Sequence, residues 1–290
     1  MATTSLTPPA AAYRQPTRFP WRSLLFYLFI IPFVLIWLIP VFTALLTSVR
    51  SLDDLTAHGW WSMPREIHLG NFREAWQEGG LSHYMRNSFI ITIPALLGTL
   101  LLSSMAAFAL ARFAFRGNLL IYFTFVGGTL LPYQILMLPV FRLTNSLHLY
   151  DTLWALILFH MAFQLGFCTF VLRNFMRTIP SEIFDAARID GASELRIYGQ
   201  HVLPLTLPSL AALATLEFTW IFNDYLWALI LLQSDRLKPV TTGLASLRGE
   251  YQSAWNILFA GTLIAVIPTV LLFVFLQRYF IQGLTMGSGK

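Results

Sequence analysis

Charged residues are scarce in this sequence. Asp, Glu, Lys and Arg make up 11% of its 290 residues, whereas 56% are hydrophobic and the mean hydropathy is +0.63. A soluble domain carries about 25% charged residues. This shortage excludes an ordinary soluble domain and indicates a protein whose surface lies mostly in lipid.

Cysteine is also nearly absent. Cys168 is the one cysteine, which excludes an intrachain disulfide framework and any multi-cysteine metal site. Its apolar surroundings predict a buried packing residue. The six histidines are dispersed without metal-ligand spacing. We therefore expect no catalytic, cofactor or metal site in this chain.

The net charge of +5 does not indicate a nucleic-acid partner. The basic residues are scattered in the gaps between apolar segments, with no basic stripe and no aromatic RNA-binding signature. A membrane topology explains their placement better, because Lys and Arg gather in cytoplasmic loops.

Long apolar runs are what the sequence has in abundance. A helix needs about 20 apolar residues to cross a bilayer core of about 30 Å, and the runs lack the alternation of barrel strands. The sequence predicts an all-α polytopic membrane protein with a six-span domain over residues 23–281. The six predicted spans are residues 23–49, 87–111, 117–141, 152–172, 205–234 and 255–277.

The placement of Lys and Arg predicts the orientation of these spans. The short loop Arg112–Arg116 carries the positive charge that is typical of the cytoplasmic side. Both ends of the chain, residues 1–22 and 282–290, are then expected to be cytoplasmic tails, and the first is expected to be disordered. The loop over residues 178–204 faces the cytoplasm too.

This loop is polar and punctuated between two very apolar segments. Ser181 is predicted to cap a short helix with an acid, Glu182, in its first turn. Gly191 is predicted to end that helix in a left-handed conformation, and Ser193 to begin a second one that ends or kinks near Pro204. The expected apolar surface of the first helix consists of Ile183, Phe184, Ala187 and Ile189.

The spacing within the loop resembles a known signature. Asp185-Ala186-Ala187, three residues, Gly191, nine residues, His201, one residue and Leu203-Pro204 match the importer-type ABC permease pattern. That pattern reads Glu-Ala-Ala, three residues, Gly, nine residues, an aliphatic residue, one residue and Leu-Pro. Asp185 and His201 are the two departures.

Further motifs resemble the carbohydrate-uptake branch of that family, whose nearest members are similar to the smaller permease subunit of the maltose transporter. They are Asn71-Phe72 with Trp76, Arg86-Asn87-Ser88, the run Phe108–Phe113, the run Trp220–Trp227, the run Gln277–Phe280 and the run Gly283–Thr285.

The resemblance implies a type I ABC importer permease fold in a bacterial inner membrane. It also implies a second related permease, two copies of an ATPase that holds ATP and magnesium, an extracytoplasmic solute-binding protein and a sugar substrate. A coupling helix in the loop would dock on the ATPase. The residues that the resemblance assigns to coupling are Glu182, Asp185, Ala186, Ala187, Arg188 and Gly191, with Glu182 and Arg188 as salt-bridge partners.

Two acids in the fifth predicted span suggest a substrate path. Glu217 and Asp224 are seven residues apart, a spacing that places both on one helix face, with Trp220 between them and Asn223 nearby. Aromatic and carboxylate groups suit a hydroxyl-rich ligand. A polar clamp between helices is the structural alternative for both acids.

Two other predictions for the membrane interior stay open. Gln134 and Gln164 are weaker candidates for the path, and we favour packing or interhelical hydrogen bonding for them. The alternative function is a proton-coupled secondary transporter in which Glu217 and Asp224 carry the protons.

Overall fold

A computed structural model describes residues 21–250 and 254–286, which contain helices and no strand. The α-helices are α1 Trp21–Ser48, α2 Leu52–His58, α3 Gly70–Gln77, α4 Leu81–Arg112, α5 Asn118–Leu130, α6 Met137–Ser146, α7 Leu153–Met176, α8 Ser181–Ile189, α9 Glu194–Ile197, α10 Leu203–Phe222, α11 Leu226–Leu231, α12 Val240–Glu250 and α13 Trp255–Met286. Short 3-10 turns cover Tyr133–Leu136 and Asp235–Leu237, and a π-helical segment covers Tyr198–Val202.

Five of these helical stretches are long and apolar enough to cross a membrane. They are residues 23–48, 81–112, 153–176, 194–222 and 255–277, and a bent pair over residues 118–130 and 133–146 makes a sixth if it counts as one span. The fold is therefore that of an all-α, multi-pass membrane protein, as predicted.

The predicted tails differ from the structure where they can be compared. Helix α1 begins at Trp21, inside the segment predicted as the tail over residues 1–22, and α13 continues to Met286, beyond the predicted domain end at 281. Residues 1–20 and 287–290 lie outside the described residues, so disorder of the first tail stays a prediction.

The third span, predicted over residues 117–141, is not one continuous helix. Helix α5 ends at Leu130, and the chain bends by 95° before continuing as the 3-10 turn and α6. Leu131 is extended, with ψ 131°, because the ring of Pro132 disfavours a helical conformation in the preceding residue. The proline also has no N–H with which to continue the helical hydrogen bonds.

The fifth span was also predicted with the wrong end. The window over residues 205–234 suggested one helix, but α10 ends at Phe222 and α11 begins again at Leu226. The Asp224 carboxylate accepts hydrogen bonds from the main-chain N–H groups of Trp227 and Ala228. Such a side chain begins a new helix rather than continuing the old one.

The described residues up to Thr43 and those from Ala44 onward form two compact units. In the second unit, α4 packs along α7, and α10 packs against α13, α4 and α7. Gly166 on α7 makes a close approach to α5 possible, because a Cβ there would lie 2.5 Å from the Phe125 main-chain oxygen. These contacts hold the broken third span against the bundle.

A fully buried arginine organises the segment after α1. The Nε of Arg50 donates to Asp54 Oδ2 at 2.5 Å, and its other nitrogens donate to the main-chain oxygens of Asp54, Gly59 and Ser62 and to Ser62 Oγ. The hydrogen bond from Arg50 holds the pKa of Asp54 below its usual range. The resulting stabilisation is therefore present at neutral pH and is lost as pH falls through this lowered value.

Asn71, the first residue of the Asn-Phe motif, extends this arrangement to α13. Its amide donates to the main-chain oxygens of Ser48 and Arg50, both at 2.8 Å, and its own oxygen accepts from Asn256 Nδ2 at 2.9 Å. One buried amide thus joins the end of α1, the start of α3 and the start of α13.

We expect Arg50→Met to lower the midpoint of thermal unfolding in detergent, because it leaves the Asp54 carboxylate and three main-chain oxygens without their buried donor. Labelling of the buried Cys168 thiol with a fluorogenic maleimide measures the midpoint. Arg73→Met is the matched control, since Arg73 is exposed and its Nε donates to Gln77. Equal midpoints for both variants would contradict the organising role of Arg50.

Candidate functional site

The polar loop forms the short helix α8. The helix begins at Ser181, and Pro180 occupies the capping position with no side-chain hydrogen bond. The prediction of Ser181 as the cap is wrong by one residue, because Pro180, with φ −55° and ψ 138°, already has the conformation that precedes a helix. Glu182 lies in the first turn, as predicted, and is exposed.

Helix α8 turns one apolar face inward. Phe184 is 2% exposed and Ala187 is 5% exposed, and both belong to a buried cluster with Met176, Ile197 and Val202. Spacing of three residues places them on one side of the helix. Their expected role as free apolar surface is therefore wrong, because they hold α8 to its own chain.

The opposite face of α8 is open. Its exposed residues include Asp185, Ala186, Arg188 and Ile189, and Ile189 is 86% exposed. Of the two alanines in the signature, only Ala186 is therefore accessible to another protein. This surface carries both charged and apolar groups.

Arg188 bridges the two short helices of the loop. Its Nη1 donates to Asp185 Oδ1 at 3.1 Å and its Nε donates to Glu194 Oε1 at 2.8 Å. The hydrogen bond that Arg188 donates to Glu194 is the main cause of a raised pKa for Arg188. The predicted intermolecular pairing of Arg188 would compete with these bonds, which are weak because water solvates the charges at the surface.

Gly191 ends α8 in the left-handed conformation that the sequence predicted, with φ +79°. The main-chain N–H groups of Gly191 and Ala192 donate to the oxygens of Arg188 and Ala187, both at 3.0 Å. Ser193 then caps α9, because its Oγ accepts from the N–H of Arg196 at 3.4 Å. The bend between the two helices is thus set by one glycine and one serine.

The second helix does not end at Pro204. It passes through the π-helical segment Tyr198–Val202 into α10, and the N–H of Leu203 donates to the Tyr198 oxygen, five residues back. Pro204 has no N–H to donate and crowds the preceding turn. The wider π turn accommodates this crowding without breaking the helix.

A cavity of about 560 Å³ lies between the broken third span, α7 and the break after α10. The cavity brings together Trp220, Asn223, Asp224 and Gln164 from the predicted path, whereas Glu217 and Gln134 are not in its wall. Its lining consists of Tyr133, Phe159, His160, Phe163, Gln164, Thr219, Trp220, Asn223, Asp224, Tyr225, Leu226 and Trp227.

Asp224 is held by several main-chain groups at once. Its carboxylate accepts from the N–H groups of Trp227 at 3.3 Å and Ala228 at 3.1 Å, and its main-chain oxygen accepts from Thr241 Oγ1 at 2.6 Å. His160 Nε2 lies 3.6 Å from Asp224 Oδ2. This geometry agrees with the alternative in which Asp224 is a polar clamp between helices. The carboxylate nevertheless lies at the cavity wall.

Glu217 lies elsewhere, at the interface of α10 and α7. It is fully buried, and its Oε1 accepts from Cys168 Sγ at 3.2 Å. The expectation that Glu217 and Asp224 share one helix face is wrong, because α10 ends at Phe222 before Asp224 is reached. Cys168 is buried, as predicted.

His160 is a cavity residue that the sequence reasoning missed. It lies in an apolar run and offers no metal-ligand spacing. The signal that could have found it is its distance of four residues from Gln164, which places both side chains on one face of α7.

Comparisons with known proteins place the chain among transport proteins. Residues 99–286 match the family described as "Binding-protein-dependent transport system inner membrane component". An arabinooligosaccharides transport system permease protein of Halalkalibacterium halodurans is 38% identical over 87% of this chain and 90% of that protein. A melibiose/raffinose/stachyose import permease protein of Bacillus subtilis is 32% identical over 87% of this chain and 91% of that protein.

A solved structure shares the fold. A bacterial ABC transporter involved in the import of the acidic polysaccharide alginate has a chain that superposes with a TM-score of 0.79 at 21% identity. The match covers 90% of this chain and 96% of that chain. The likeness shows the type I importer permease fold.

Gly191→Ala should destabilise the loop by about 1–2 kcal/mol, because a side chain disfavours the left-handed conformation although nothing lies within 4 Å of the new Cβ. Gly191→Asn should cost less, since Asn tolerates this conformation. Gly199→Ala is the control, with equally open space and no positive φ. The labelling rate of Cys168, in the same buried cluster, measures the effect; equal rates for Gly191→Ala and Gly199→Ala would contradict it.

Asp224→Ala should cost about 1 kcal/mol of stability through loss of the helix cap, whereas Asp224→Asn should cost less because its amide oxygen still accepts. Asn223→Ala is the neighbouring control, since the Asn223 amide donates within its own helix to the Thr219 oxygen. Thermal unfolding followed through Cys168 gives the comparison. If Asn and Ala at 224 were equally destabilising, the negative charge and not the cap would be the stabilising feature.

Proposed function

We propose, from the premise that this chain belongs to the family of binding-protein-dependent transport system inner membrane components, that it is one permease subunit of an ATP-driven importer for a sugar or oligosaccharide. The observation that carries the substrate class is the cavity, in which aromatic rings alternate with hydrogen-bonding groups. Relatives named for the transport of arabinooligosaccharides and for the import of melibiose, raffinose and stachyose support the same class.

The chemistry of the cavity favours a neutral sugar. Trp220 and Tyr133 offer ring faces for the apolar C–H surface of a sugar ring, while Gln164 and Asn223 supply amides that both donate and accept. The twelve lining residues include one carboxylate and neither Lys nor Arg. An acidic sugar would therefore meet no compensating positive charge in this half of the path.

The open face of α8 supports coupling to an ATPase. Asp185, Ala186 and Ile189 form a small surface of mixed polarity on a helix that is fixed from behind by Phe184 and Ala187. A helix that is packed firmly against its own chain transmits the movement of a bound partner to the membrane helices better than a flexible loop does. We infer that one of the two ATPase copies of the assembly, which hold ATP and magnesium, binds here.

The remaining assembly follows from the family. We propose a second related permease as the other half of the channel and an extracytoplasmic solute-binding protein that delivers the sugar. In a bacterial inner membrane, both ends of this chain and the loop over residues 178–204 would face the cytoplasm, in accord with the positive charge of the loop Arg112–Arg116.

The proton-coupled alternative is less favoured by the geometry. A relay needs acids within reach of each other, but Glu217 is buried against Cys168, whereas Asp224 caps α11 at the cavity wall. The two acids therefore serve separate contacts.

We expect proteoliposomes with the complete transporter to accumulate a neutral oligosaccharide only when ATP and the binding protein are both present. A uronic-acid oligosaccharide of equal length should not compete. Trp220→Ala should raise the sugar concentration for half-maximal uptake several-fold, because it removes an exposed indole ring from the cavity wall, whereas Trp154→Ala, an exposed residue at the start of α7, should not. Uptake by this chain alone, driven by a proton gradient, would contradict the proposal.

A further inference from the structure

Arg112, the last residue of α4, joins three elements at the inner end of the bundle. Its Nη2 donates to the main-chain oxygens of Met176 at 2.5 Å and Ile179 at 2.6 Å, which lie where α7 ends. Its guanidinium carbon also lies 3.9 Å from the ring centroid of Phe184 on α8. One side chain thus satisfies carbonyls that a helix end leaves free and packs on the coupling helix.

The same side of α4 also contacts the segment that follows the bend at Gly191. Ser104 Oγ and the Tyr198 hydroxyl are 2.7 Å apart, and the rings of Phe108 and Tyr198 have centroids 5.6 Å apart. Ser104, Phe108 and Arg112 follow each other at intervals of four residues, so they lie along one face of the helix. This face, called here the α4 stripe, touches the chain on both sides of Gly191.

Tyr198 is the first residue of the π-helical segment. A single π turn inside an α-helix marks a place where the hydrogen-bond register changes, and such turns are frequent at functional sites. The α4 stripe therefore holds one rigid helix, α8, and one irregular turn, and a displacement of α8 would act on both contacts.

The outer end of α4 is tied to another segment. The Asn87 amide donates to the main-chain oxygens of Arg236 at 2.9 Å and Lys238 at 3.0 Å, and Ser88 Oγ accepts from the N–H of Val240 at 2.8 Å. With 32 residues, α4 extends about 48 Å. One helix therefore connects the coupling loop with the segment before α12 at the opposite end of the bundle.

We infer that the α4 stripe is the element through which the coupling loop moves the second span, with Arg112 as the positioning residue. This inference rests on the proposed function, because the force on α8 would come from the partner ATPase. Arg112 would act through Phe184, Met176 and Ile179 and would touch neither the sugar nor ATP.

The test uses the complete transporter in proteoliposomes and measures sugar molecules taken up per ATP hydrolysed. Arg112→Met should lower this ratio several-fold while ATP hydrolysis continues, because the loop then moves without α4. Arg112→Lys keeps the charge and should restore part of the ratio. Tyr198→Phe and Ser104→Ala each remove one hydroxyl from the same hydrogen bond, so each should lower the ratio and the double variant should add nothing further.

Arg173→Met is the matched control. Arg173 is an inner-end arginine with the same kinds of contact, a ring centroid at 3.9 Å on Tyr122 and a hydrogen bond from Nε to the Leu110 oxygen at 3.2 Å, but these contacts join α7 to α5 and α4 and not to α8. It should lower the amount of assembled transporter without changing the sugar-to-ATP ratio.

The outcomes separate the two proposals. A wild-type transporter without ATP-dependent uptake would contradict the proposed function itself. A wild-type transporter that works, with an unchanged sugar-to-ATP ratio in the Tyr198→Phe and Ser104→Ala variants, would overturn the role of the α4 stripe. If the Arg112→Met transporter fails to assemble, the Tyr198→Phe and Ser104→Ala variants still test the role of the α4 stripe.

Discussion

Inside a bilayer, every main-chain N–H and C=O that leaves the helical pattern must find a partner within the protein, because no water is present to replace it. Two irregular points of the described chain show how this constraint is met. Asp224 supplies acceptors where α11 begins, and the π turn before Leu203 keeps its hydrogen bonds through a changed register. The break after α10 is therefore also the position of a specific polar group, Asp224.

The ends of the bundle obey the same constraint in a different way. Arg50 and Arg112 each direct their nitrogens at several main-chain oxygens that no helix satisfies. A guanidinium suits this task because it offers five donors in a fixed plane. These two arginines thus lie where helices start or stop and stabilise main-chain groups there.

Apolar length predicted the number of spans but not their interruptions. Hydropathy averaged over a window of residues gives one uninterrupted apolar segment around Pro132, because both sides of the break are apolar. The break depends on the proline, which disfavours a helical conformation in the residue before it. Tertiary contacts decide whether a helix in the bundle continues past such a proline. Pro94, inside the unbroken α4, shows the other outcome.

The coupling loop was more predictable than the cavity. Gly191 and Ser193 act through local backbone chemistry, which a sequence displays directly. Which face of α8 turns inward depends on Phe184 meeting α4 and α7, and sequence spacing alone does not reveal that. The cavity collects side chains from α7, the third span and the break after α10, so only Trp220, Asn223, Asp224 and Gln164 were found in advance.

The shortness of α5 links this fold to the lipid around it. Its 13 residues extend about 20 Å, whereas the hydrocarbon core is about 30 Å thick. The bent continuation after Leu130 must cover the difference, or the lipid must thin beside it. Membrane thickness then acts on the wall of the cavity, since Tyr133 lies just beyond the bend. A thicker bilayer, such as a sterol-rich one, would strain the helices of this cavity wall, and a thinner bilayer would relieve that strain.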